Sequence, residues 1–219
     1  MRRPMPIQMR NFAAGAGFSL IEVLVAMLIV VVGLLGLAGM QARAQIAELE
    51  SYQRAQALVL LYDMMDRINN SRTTASCYAV TTDTAAGTPY FGDGATAAAA
   101  CSASNPADQA MAIASMNDWN DLLQGGAEKK GAGLTKVGAM IGARGCVSYD
   151  INTEYVNATT NVNVGGTGEY TVAVSWQGMA DTFAPIKACG AGLYGTPAAA
   201  DTKRRTVWAT MRIGTLATR

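Results

Sequence analysis

The chain has 219 residues, with 17 Lys and Arg against 16 Asp and Glu, no His, four Cys and 50% hydrophobic residues. That length allows one domain with an appendage and enough chain to bury a core. Balanced charge lacks the basic excess of a nucleic-acid binder, and zero His removes the commonest general base and metal ligand, so no nucleic-acid partner, metal, cofactor or catalysis is expected.

The first seventeen residues carry Arg2, Arg3 and Arg10 and no acid. An arginine-bearing start beside an apolar run has the form of a membrane-targeting segment with its start in the cytoplasm. Val23 to Met40, VLVAMLIVVVGLLGLAGM, holds no charge. As a helix it is roughly 27 Å long, close to the hydrocarbon thickness of a bilayer. A cleaved secretory signal has an apolar region of only about 7–15 residues before a small-residue release site. This run is longer, no such site follows, and the helix is expected to be kept.

Gln41 to Arg72 contains no Pro and no Gly and reads as the same helix continuing. Ile46, Leu49, Tyr52, Leu58, Leu61, Tyr62, Met65 and Ile68 recur mostly at steps of three and four, with charged residues between them. One helix is therefore predicted to be apolar over 23–40 and amphipathic over 41–72. Glu22 stands out. It sits among Phe18, Leu20, Ile21 and Val23, and a carboxylate near hydrocarbon costs at least ~2.5 kcal/mol, so it needs a partner. Gly33, Gly36 and Gly39 suit close helix packing better than local melting of the helix.

Beyond Arg72 the composition shifts to Thr, Ala, Gly and Ser. Asn69-Asn70-Ser71 is predicted to end the helix, and residues 73–105 show no strong period; 95–100 could be a short helix or a loop. Asn105 is predicted to cap a helix over 107–124, with Pro106 in its first turn, Met111, Ser115, Met116, Trp119, Leu122 and Leu123 at helical spacing, and Gly125-Gly126 after it. Three stretches then alternate at period two: Val147, Tyr149 and Ile151; Tyr170, Val172, Val174 and Trp176; Val207, Ala209, Met211 and Ile213. They predict an antiparallel sheet buried on one face by the amphipathic half of the first helix, an α+β body over 73–219.

Cys77, Cys101, Cys146 and Cys189 include no C-x-x-C pair, which favours two disulfides in an extracytoplasmic domain over a metal site. Three connectivities exist. Cys77–Cys101 with Cys146–Cys189 is favoured because each closes a loop of reasonable length, each contributing roughly 3–4 kcal/mol.

Gly17-Phe18-Ser19-Leu20-Ile21-Glu22-Val23-Leu24-Val25-Ala26-Met27 resembles the class III signal of type IV pilins and type II secretion pseudopilins. The resemblance implies a leader over 1–17, cut by a prepilin peptidase between Gly17 and Phe18, with methylation of the new Phe18 amino terminus. Residues 18–40 then become the membrane and assembly half of a pilin-like helix. It further implies that the Glu22 carboxylate pairs with the Phe18 nitrogen of a neighbour. Many pilins carry a proline where this chain has Gly39, which leaves local melting without its usual cause. A looser likeness runs through Ala143-Arg144-Gly145-Cys146, Val174-Ser175-Trp176-Gln177-Gly178, and Cys189-Gly190-Ala191-Gly192-Leu193-Tyr194 before Arg204-Arg205. Together these look like the V-type minor pilins, or type IV pilus modification proteins. That family implies a low-abundance subunit that joins other minor pilins in a priming complex, which helps initiate pilus assembly and presents a tip-associated adhesin, with the major pilin as a further partner. It would sit in the bacterial inner membrane first and in the surface pilus afterwards.

A minor pseudopilin of a type II secretion system shares this architecture and is the alternative. A single-pass enzyme or receptor is the rival from another class, but Ser175 has no evident base. Asp150 and Glu154 lack the dense oxygen spacing of a calcium loop, Lys203-Arg204-Arg205 reads as a solvated edge, and the Asn69 and Asn157 glycosylation patterns are weak.

Overall fold

No proline interrupts Leu20–Asn70, and these 51 residues form one α-helix, α1. The computed structural model describes residues 17–103, 105–131, 135–136, 138, 140–195 and 201–214; Arg2, Arg3 and Arg10 lie outside them. The chain divides between Ile46 and Ala47 into two units. In the first, α1 is long and apolar enough to cross a membrane, its most apolar window having a mean hydropathy of 2.9.

In the second unit, α1 buries Ala57, Leu60, Leu61, Met64 and Ile68, a stripe at steps of three and four. This differs from the periodicity expected over 41–72. Leu61 and Ile68 are buried, but Leu49, Tyr52 and Tyr62 are exposed. The sequence interleaves two apolar stripes, and Tyr52, Ala55, Val59 and Tyr62 lie on the side opposite the buried one. A helix with two apolar faces has no period that says which one its own body will cover.

The helix ends at Asn70, and a 3₁₀ segment, Arg72–Tyr78, leads away. Residues 95–100 have no regular structure. The second helix, α2 (Pro106–Leu123), begins where expected: the Asn105 side chain accepts a hydrogen bond from the Ala107 N–H, with Pro106 in the first turn. It buries Ala112, Met116, Trp119 and Leu123. Met111, expected on that face, is exposed, because Ala112 rather than Met111 keeps the four-residue step to Met116.

The sheet has four strands, not three, in the order β1 (Phe91–Gly92), β4 (Arg144–Asp150), β5 (Glu169–Gln177), β6 (Arg204–Arg212), all antiparallel. A separate hairpin pairs β2 (Lys129–Lys130) with β3 (Thr135–Lys136). On β6 the alternation is as read, with Val207 buried and Trp208 exposed; on β5 Tyr170, Val172, Val174 and Trp176 are buried as expected, but so are Ala173 and Ser175 on its other face. Ile151 departs from its expected face, since β4 stops at Asp150 and Ile151 is exposed in a 3₁₀ turn.

α1 and α2 cover one face of the sheet. Trp119 donates its indole N–H to the Leu60 carbonyl at 2.9 Å, binding the two helices across the core. A close approach makes this possible: a Cβ at Gly145 would overlap the Trp119 ring, so glycine there lets β4 meet the indole. The opposite face of β5 is not left to solvent, correcting the one-sided sheet expected. Tyr90, Cys146, Ala173 and Cys189 form a second small core there. The structure joins Cys77–Cys101 and Cys146–Cys189, the favoured pairing, with Cα separations of 4.9 and 5.7 Å. The second bond fastens the loop after β5 over β4 and β5, which is why Ala173 is covered.

Candidate functional site

Two groups of residues carry chemistry or exposed apolar surface. The first is the start of α1. Ser19 opens the helix: its carbonyl accepts the Glu22 N–H at 3.0 Å and the Val23 N–H at 3.3 Å. Gly17 and Phe18 precede it, and Phe18 is 82% exposed. Glu22 lies in the first helical turn, where the aligned peptide dipoles favour a negative charge. Between Leu20 and Met40 it is the one charged side chain, and among the described residues no ion pair includes it. Phe18 and Glu22 stand one turn apart beside Val23, Ala26, Met27, Val30 and Val31. Every large apolar residue from Phe18 to Met40 is exposed. A Cβ at Gly33, Gly36 or Gly39 would meet nothing within 4 Å, so these glycines leave open surface along the helix.

Such a surface can lie against hydrocarbon or against other apolar helices. A carboxylate on such a surface calls for a cation as its partner, and among the described residues none is paired with it.

The second group fastens the amphipathic half of α1 to the body. Glu50 Oε1 accepts from the backbone N–H groups of Met179 (3.0 Å) and Ala180 (3.2 Å) and from Arg205 Nη2 (3.1 Å). Burial raises the Glu50 carboxyl, but the Ala180 N–H, the Arg205 charge and the Met179 N–H outweigh it and hold its pKa below the ordinary carboxylate value. Gln56 donates to the Gly138 carbonyl at 2.6 Å, and Arg67 pairs with Asp63 at 2.7 Å while reaching the Ser115 carbonyl.

The Lys203-Arg204-Arg205 run is not the solvated edge its charge suggested. Arg204 is 4% exposed, ion-paired to Asp201 at 2.5 Å, and donates to the carbonyls of Pro185 and Lys187. Arg205 is the cation of the Glu50 clasp. Arg144 is likewise buried, packed between the rings of Tyr90 and Tyr194 (5.4 and 4.9 Å) with Asp93 at 3.1 Å. Burial pushes the Tyr194 hydroxyl up to about 12 against the pull of Arg144. The Asp201-x-x-Arg204 spacing is the one sequence signal that could have marked a local pair; the carbonyls of Pro185 and Lys187 that complete the Arg204 site come from earlier in the same β5–β6 connection.

The loop around Asp150 and Glu154 satisfies itself. Asp150 caps the 3₁₀ turn through the Asn152 N–H, and Glu154 accepts from the Tyr149 hydroxyl at 2.5 Å and the Gly166 N–H at 3.0 Å. Among the described residues no cluster of three or more acidic, Cys or His side chains is placed to hold a metal. No family model matches this chain, and neither a curated protein nor a solved structure matches it.

Proposed function

We propose that this chain is a minor subunit of a type IV pilus, a structural protein rather than a catalyst, that helps start assembly at the pilus tip. The observation that carries this reading is Glu22: an exposed carboxylate in the first turn of a helix otherwise free of charge from Leu20 to Met40, directly after a Gly17-Phe18 junction.

Cleavage by a prepilin peptidase after Gly17 frees the Phe18 nitrogen as an ammonium, which stays cationic when methylated. Before assembly the 18–40 helix lies in the inner membrane. When subunits pack side by side, the Glu22 carboxylate of the incoming chain meets the Phe18 ammonium of its neighbour. In a low-dielectric setting this attraction is strong, although desolvation offsets much of it. Its larger contribution is registry, because other axial staggers leave both charges unpaired. The exposed apolar stripe at Tyr52, Ala55, Val59 and Tyr62 supports the same reading, offering further helix surface to a neighbour. The partners are other minor pilins and the major pilin, and the tip position allows contact with an adhesin.

Amino-terminal sequencing of the mature protein tests the premise. The reading requires a first residue of Phe18, methylated on nitrogen; a mature chain beginning at Met1 would refute it.

A further inference from the structure

One guanidinium fastens the loop that leaves β5 to the side of α1. Arg205 reaches the Glu50 carboxylate at 3.1 Å, the Ala180 carbonyl at 2.7 Å and the Thr182 hydroxyl at 2.6 Å. Glu50 also accepts the Met179 and Ala180 N–H groups, and the Thr182 N–H donates to the Thr202 carbonyl at 2.8 Å. Residues 179–182 are therefore pinned at Glu50. The next side chain on this fixed backbone, Phe183, is 98% exposed, and Met179 is 46% exposed. A body that closes over Trp119, Tyr78 and Phe91 leaves this ring in the open. Apolar side chains held out from a rigid backbone lose little freedom on docking.

Position along the chain says what the ring meets. The uncharged run ends at Met40, ten residues before Glu50. Both residues belong to α1, so the path between them is about 15 Å at most. Headgroups cover roughly 5–7 Å beyond the hydrocarbon, which leaves the loop and the Phe183 ring roughly 10 Å to cross, and less where the span is tilted. Leu49, beside Glu50, is also exposed and continues the apolar surface between the two. Charges here balance. Arg54 and Lys203 stand against Glu48 and Asp181, none ion-paired among the described residues, so hydrocarbon rather than headgroup charge has to hold the ring.

We propose that Phe183 and Met179 insert into the surface of the bilayer that the apolar part of α1 crosses, giving the body a second membrane contact before assembly. This inference rests on the reading of residues 18–40 as a membrane helix.

The test uses the full-length chain in phosphatidylcholine vesicles containing an alkyne-tagged phosphatidylcholine. A benzophenone-bearing amino acid replaces one residue at a time: Phe183, Leu34 in the apolar run, or Tyr155 in the connection between β4 and β5. All three side chains are exposed, and formation of both disulfides verifies each fold. Leu34 reports the membrane span itself. Tyr155 follows the end of β4 that pairs with Glu169, about 27 Å along β5 from Gln177. Irradiation should attach lipid to a similar extent at Phe183 and Leu34 and at least about tenfold less at Tyr155, the preference expected of a ring that leaves water. Ala184→Asp sets a charge beside the probe on an exposed residue and should lower lipid attachment at Phe183 about tenfold. Lipid at Leu34 without lipid at Phe183 overturns the proposal and leaves the span standing; no lipid at Leu34 removes the span and the proposal together. Attachment of the Phe183 probe to protein instead of lipid, equal lipid attachment at Tyr155, or an undiminished yield in Ala184→Asp overturns it as well.

Discussion

From Phe18 to Met40 the large apolar side chains all face outward, while in the body Trp119, Tyr78, Tyr170, Phe91 and Met64 are closed off by their own chain. The same physical quantity, apolar area, thus has two destinations in one sequence. Inside the body it is removed from water by contacts the chain itself supplies, at roughly 25 cal/mol per Å². Along the first part of α1 no described residue supplies such contacts, so that area has to be matched by lipid or by other helices. Charge divides the same way. Glu50, Arg144 and Arg204 find their partners within the chain, whereas Glu22 has none among the described residues.

The sharpest way to separate the two regions is to damage one and watch the other. Trp119→Ala removes a ring packed edge-on to Phe91 and the indole N–H bond to Leu60, and should destabilise the body by about 3–5 kcal/mol in denaturant unfolding. Membrane insertion of residues 20–40, followed by carbonate extraction, should be unaffected. Glu22→Leu should do the reverse. Body stability and insertion stay at wild-type levels, while the fraction of subunit recovered in sheared filaments falls about a hundredfold, as expected for an orphaned buried charge. Equal incorporation of the two would erase the distinction drawn between the regions.

Glu50→Gln gives a smaller and pH-dependent effect. Because the folded carboxyl titrates below its ordinary value of 4.5, its stabilising contribution is present above that pH and is lost as pH falls through the lower, folded value. The contribution is below about 1 kcal/mol, since the pair is only partly shielded from solvent. Unfolding midpoints of wild type and Glu50→Gln should therefore differ at pH 7 and converge on acidification; a constant difference would show that the clasp acts through packing. The smallest effect is expected from Tyr62→Ser on the exposed stripe, which should shift body stability by no more than about 0.5 kcal/mol. A larger loss would mean that this stripe is covered by the chain after all.

Much of the architecture was legible because it depends on neighbours in sequence. The Asn105 cap, the absence of Pro from Leu20 to Asn70, the two-residue alternation of β6 and the position of Glu22 as the one charge from Leu20 to Met40 can each be read along the chain without its tertiary contacts. That Phe18 and Glu22 lie together at the start of α1 was legible for the same reason, since they occupy one helical turn and the junction before it.

What α1 buries between Ala57 and Ile68 was decided only by tertiary structure. Apolar residues occupy both sides of that helix, and periodicity reports that faces exist without saying which one the sheet will take. Arg144 and Arg204 show the same limit with opposite sign. A run of cations looks solvated until carbonyls and rings from distant loops close around it, and the side chain alone cannot announce partners that arrive from fifteen or fifty residues away. Local hydrogen bonds and apolar spacing are written in short stretches of chain; the choice among several equally apolar faces, and the cost of burying a charge, are settled only when the remote segments meet.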